Sequence, residues 1–136
     1  MNILVVGGGQ VGGRVAQLLL ESGCRVTVIE PREIALARLR RDVPGAVIVA
    51  ASGTDSAVLE AAGAGSVDVL CAVTGADETN LTIATLAKFE FGVARVLARV
   101  NDPRNRWLFE TDFGVDLAVN QAELIAQLVA EETDLP

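Results

Sequence analysis

The chain alternates short apolar runs with longer stretches of helical period. The opening run Asn2-Ile3-Leu4-Val5-Val6 has strand length and leads straight into Gly7, Gly8 and Gly9. Val11, Val15, Leu18 and Leu19 then recur at i, i+4, i+7 and i+8, the spacing of one helical face. Arg25 to Glu30 reads as a second strand. A helix carrying Ile34, Leu36, Ala37 and Leu39 follows, and Pro44-Gly45 ends it. Ala46 to Ala50 is a third strand, apolar throughout, as strands buried on both faces tend to be. The turn Ser52-Gly53-Thr54-Asp55 leads to a short helix ending near Gly63, and Val67 to Val73 is a fourth strand. A long helix is expected from Asp77 to Phe91, closed by Gly92, then a fifth strand from Ala94 to Val100. Asp102-Pro103 looks like an N-cap and first helical residue, with the helix running to Phe113 and Gly114 stopping it. Val115 to Val119 is the sixth strand, and Gln121 to Glu132 the last helix.

Strict alternation of strand and helix implies a parallel sheet with right-handed crossovers. The glycine-rich first turn favours a doubly wound, Rossmann-like α/β fold with strand order 3-2-1-4-5-6, and one domain filling residues 1–136. A ligand crevice then opens at the carboxyl ends of strands 1 and 4, where the order reverses. That rule gathers four distant stretches into one candidate site. They are Gly7, Gly8, Gly9, Gln10, Val11 and Gly12; Glu30, Pro31 and Arg32; Ser52, Gly53 and Thr54; and Val73, Thr74 and Gly75.

Each glycine of the G-x-G-x-x-G spacing has its own task. Gly7 permits the tight turn, Gly9 lets a pyrophosphate approach the backbone, and Gly12 allows close packing of helix on strand. The helix N-terminus offers free N–H groups to phosphate. Glu30, 18 residues past Gly12, suits the two hydroxyls of an adenosine ribose and would repel a 2′-phosphate.

Composition narrows the reading. A net charge of −7 argues against a nucleic-acid partner. No run approaches the ~18 apolar residues that span a bilayer, so a cytoplasmic protein without direct membrane insertion is expected. Cys24 and Cys71 are isolated, and Cys71 sits in an apolar strand. With no histidine and no tyrosine, the chain lacks the commonest general base, most zinc sites and any Tyr–Lys pair. No catalytic or metal-ligating set is therefore expected. Asp77 and Glu78 read as first-turn acids serving the helix dipole. Asn80 reads as a local hydrogen bonder fixing the turn after strand 4, and Thr74 as both helix cap and site residue. Arg104 and Arg106 should be solvated, with Trp107, Leu108 and Phe109 on the buried side of their helix.

Three segments together carry a family resemblance: Gly7 to Gly12, Ala72-Val73-Thr74-Gly75-Ala76-Asp77-Glu78-Thr79-Asn80-Leu81, and Ala98-Arg99-Val100-Asn101-Asp102-Pro103. Over about residues 1–120 the chain resembles the N-terminal RCK or KTN (TrkA-N) domain of Trk-type potassium-uptake regulators. The resemblance implies a non-catalytic cytosolic subunit that gates a membrane potassium transporter or channel. It also implies assembly into a homodimer or larger ring, and binding of NAD(H) foremost, or of ATP or ADP. On the same basis Arg32 would lie along adenine or phosphates, and Arg99 would point into the crevice. Where the family commonly reads Gly-Asp-Ala after strand 3, this chain has Ala51-Ser52-Gly53, so a hydroxyl stands in place of an adenine-binding carboxylate. Many relatives continue into a second small domain.

The final stretch, residues 121–136, carries the stripe Ala122, Ile125, Leu128 and Val129. It either covers the sheet or crosses to a second copy of the chain. Two other functions compete with a gating role. A small NAD-dependent oxidoreductase would need a substrate pocket and an acid or base beside the nicotinamide. A methyltransferase would use a related glycine turn, though this spacing suits a pyrophosphate better.

Overall fold

The structure, a computed structural model, describes residues 1–133. Six parallel strands form one sheet: β1 (Asn2–Val6), β2 (Arg25–Ile29), β3 (Val47–Val49), β4 (Val69–Ala72), β5 (Arg95–Arg99) and β6 (Leu117–Val119). Their order is β3-β2-β1-β4-β5-β6, as the alternation predicts. Helices α1 (Gln10–Glu21), α2 (Glu33–Asp42), α3 (Ser56–Ala61) and α4 (Asp77–Thr85) make the connections, and α5 (Gln121–Thr133) closes the described chain. The tail at 134–136 lies outside the described residues.

Side-chain alternation along the strands divides the core in two. Ile3, Val5, Val26, Val28 and Cys71 face α1 and α2, packing on Ala16, Leu39 and Val43. Leu4, Val6, Leu70, Ala72, Val96 and Ala98 face the other way, against Leu59 of α3 and Ile83, Ala84 and Ala87 on and beyond α4. The central strands β1 and β4 are covered on both faces, which is why they read as unbroken apolar runs. Full burial of a side chain such as Leu4 or Leu70 contributes about 1.5–3 kcal/mol.

Two expectations need correction. The segment after Asp102 is not one helix to Phe113 but two 3₁₀ turns, Pro103–Leu108 and Thr111–Phe113. Asp102 caps the first turn as expected, accepting from the Arg104 N–H ahead of Pro103, but Asn105 donates to Asp77 rather than facing solvent on a regular helix. Glu110 is extended and interrupts the run. Consequently Trp107 is 72% exposed, while Phe109 is buried, so the expected apolar face is broken. The helix begun at Asp77 is α-helical only to Thr85 and continues as a π-turn over Leu86–Glu90, with the Phe91 N–H reaching the Leu86 carbonyl. Finally, of the two placements open for the last helix, covering the sheet is not the one seen: Leu124, Ile125 and Leu128 of α5 are exposed.

Candidate functional site

The site begins with the turn between β1 and α1. Gly7 has φ +111°, a conformation an L side chain rarely adopts, and its N–H donates to the Ile29 carbonyl. Gly12 is required sterically, since a Cβ there would stand 1.7 Å from the Gly7 carbonyl oxygen. Gly9 is different. It precedes α1 in an ordinary extended conformation, and among the described residues the atom near an added Cβ is Nη2 of Arg32, at 3.4 Å. The backbone at Gly9 is therefore open to a group arriving from outside, beside the first N–H groups of a 12-residue helix.

Glu30 follows β2 and is 1% exposed. Its Oε1 accepts from the Gly8 N–H at 2.9 Å and from Arg32 Nη2 at 3.1 Å. Its Oε2 accepts from the Arg32 N–H at 2.8 Å and Arg32 Nε at 3.0 Å. Burial pushes the Glu30 pKa up. The hydrogen bonds from Arg32 and Gly8, with the guanidinium charge, outweigh that effect and leave it below the usual carboxylate range. Glu30 is thus an ionised carboxylate that ties the glycine turn to the tip of β2.

Across the reversal in strand order, a second knot shapes the loop after β4. The fully buried Asn80 accepts at Oδ1 from the N–H (2.8 Å) and hydroxyl (2.7 Å) of Thr74. Its amide donates to the carbonyls of Thr74 and Arg99. This fixes the turn as its sequence position suggests. Asp77 does more than complement a helix dipole. Its carboxylate accepts from the N–H groups of Asn101 (2.6 Å) and Asp102 (2.9 Å) and from the side chains of Asn101 and Asn105. Burial raises its pKa, but the hydrogen bonds from Asn105, Asn101 and Asp102 prevail and the net shift is downward. Among the described residues no group of three or more His, Cys, Asp or Glu side chains is placed to hold a metal ion.

Between these knots lies a cleft of about 400 Å³, within the range of small-molecule sites. Gly7, Glu30, Pro31, Arg32, Ser52, Gly53, Thr54, Thr74 and Gly75 line it, so four separate stretches do meet. Ala76, Thr79 and Ile83 line it too. Sequence reasoning missed these three, although Thr79 and Ile83, four residues apart, share one face of α4 and Ala76 immediately precedes that helix. Gly8, Gly9 and Gln10 border a neighbouring hollow between α1 and α2, and Gly12 packs against Gly7. Val11, Val73 and Arg99 line a third, apolar hollow with Val15, Cys71 and Leu97. Arg99, the last residue of β5, shares the α1 side of the sheet with Leu97, two positions earlier, and so lines this hollow with Val11 and Val73 rather than the cleft beside Glu30. Ser52 is exposed, and its hydroxyl lies 2.8 Å from that of Thr54.

The profile of the TrkA-N domain matches residues 3–121. The chain belongs to the TrkA-N family. The Trk system potassium uptake protein TrkA of Mycobacterium tuberculosis is 40% identical over 133 residues, covering 96% of this chain. The chain spans only 59% of that relative's length. Among solved structures, the NAD(P)-binding domain of an exopolyphosphatase-related protein from Archaeoglobus fulgidus superposes with a TM-score of 0.82 at 21% identity. That match covers 97% of this chain and 96% of that one. The GsuK channel bound to NAD gives 0.74 at 18% identity, covering 87% of this chain and 21% of that one. These likenesses confirm the TrkA-N fold. No described helix is long and apolar enough to cross a membrane.

Proposed function

We propose that this TrkA-N domain is a nucleotide-sensing regulatory module of a potassium-uptake system, and that nucleotide occupancy, not turnover, is its output. One observation carries the reading: a buried, ionised Glu30 beside an open glycine turn, in a cleft at the reversal of strand order. A ribose set against Glu30 leaves its phosphates beside Gly9 and the N-terminus of α1, with the base toward Ser52 and Thr54. NAD(H) is the leading ligand, and ATP or ADP the alternative. The 40% identity to a potassium-uptake protein supports a membrane transporter or channel as partner, with this domain at its cytoplasmic face. Ligand binding would act by population shift, favouring whichever assembly binds it better.

Assembly is the second half of the proposal. The exposed Leu124, Ile125 and Leu128 of α5, together with the apolar hollow under α1, favour a homodimer made by exchange of this helix. A strict monomer by light scattering at high concentration would refute the exchange. Titration calorimetry with NADH, NAD⁺, ATP, ADP and NADPH tests the ligand. NADH or an adenine nucleotide should bind at least tenfold more tightly than NADPH, about 1.4 kcal/mol. Equal affinity for NADPH would remove Glu30 from the ribose position. Steady NADH consumption with a specific small carbonyl substrate would instead favour the oxidoreductase reading.

A further inference from the structure

The Glu30 carboxylate has no acceptor capacity to spare. Two oxygens offer about four lone-pair sites, and the four donors from Gly8 and Arg32 fill them. A ribose diol can bond this carboxylate only by displacing one or more of those donors. Two are backbone N–H groups held by the fold. The other two belong to the guanidinium of Arg32, whose side chain is 67% exposed against 2% for Glu30. The guanidinium fork is the movable partner.

Its neighbourhood decides what displacement would cost. Nη2 of Arg32 already lies over the glycine turn, 3.4 Å from where a Cβ on Gly9 would stand. A small rotation exchanges carboxylate oxygens for phosphate oxygens arriving at that turn, and guanidinium matches both geometries in the same two-pronged way. A nucleoside offers no phosphate, so it would break the fork without replacement.

We propose that Arg32 is a specificity-determining residue that holds the ribose position against uncharged nucleosides and yields it to ligands bearing a phosphate. The proposal rests on the nucleotide reading above. It adds that discrimination between adenosine and ADP arises from an internal competitor as well as from direct phosphate contact.

Calorimetry of wild type, Arg32→Ala and Arg32→Lys with adenosine, ADP and NADH tests it. Arg32→Ala should tighten adenosine about fivefold and weaken ADP about tenfold, as expected for exchanging charge-assisted hydrogen bonds. The preference for ADP over adenosine then falls by about fiftyfold. Arg32→Lys keeps the charge but not the fork, so its preference should lie between the two. It also carries the test should the alanine variant not fold. If wild type binds ADP or NADH but substitution weakens adenosine and ADP by the same factor, Arg32 only supports the loop and the proposal is overturned. Failure of wild type to bind any of the three would overturn the nucleotide reading, and this proposal with it.

Discussion

Two buried carboxylates flank the cleft, and their partners set them apart. Glu30 is held partly by an exposed guanidinium, a donor that can leave. Asp77 is held by two backbone N–H groups and two asparagine side chains, all fixed in packed loops. Both carboxyls have lowered pKa values for the same general reason: donors aimed at the charged form overcome burial. The lesson concerns function. A buried charge with a displaceable partner is addressable by a ligand, whereas one bracketed by the backbone is a structural rivet.

Breaking the rivet should have the largest effect. Asp77→Ala orphans four donors and is expected to cost about 3 kcal/mol of stability. That corresponds to a drop in melting temperature of roughly 10 °C for a domain of this size. A change under 2 °C in a thermal melt would mean the loops hold without it. Glu30→Ala should show the reverse balance, a loss of nucleotide affinity of about 30-fold or more with a smaller stability cost of about 2 kcal/mol, since the Arg32 guanidinium is freed into water and only the Gly8 and Arg32 N–H groups are orphaned. Calorimetry beside urea unfolding separates the two quantities, and intact affinity would defeat the ribose role.

Gly9→Ala is a finer test of the same contrast. The site is sterically open, so stability should fall by less than about 1 kcal/mol, while affinity drops about tenfold through crowding of the phosphates. Loss of both in parallel would mean that Gly9 serves the fold. The smallest effect concerns pH. A carboxyl whose folded pKa is depressed contributes stability that is complete above its unfolded pKa and disappears as pH falls through the folded value. Urea midpoints should therefore hold between pH 7 and 5 and decline below about pH 4. Asp77→Ala should flatten that decline; an unchanged slope would show that other carboxyls dominate.

How much was readable beforehand follows from range of interaction. Strand order, the glycine turn and the meeting of Glu30 with Ser52 and Thr74 followed from apolar periodicity and the crossover rule, because both are properties of the chain taken in order. Three features did not. Asp77 sits in a first helical turn, where acids commonly serve the dipole, and nothing local announces that its acceptors will be filled from residues 101–105. Trp107 carries apolar character into a segment where Asn105 is drawn to Asp77 and Glu110 is extended. Arg99, by strand parity, lies with Leu97 on the α1 side, and the split of the carboxyl edge into separate hollows on the two faces of the sheet has no local signal.

By itself the sequence determined the sheet, its order and the edge where a ligand can enter, because burial patterns and backbone sterics repeat along the chain and need no distant partner. Only the tertiary structure decided which donors surround each buried carboxylate. Hydrogen bonds depend on angstrom-scale distance and direction between residues far apart in sequence, and no spacing rule encodes those.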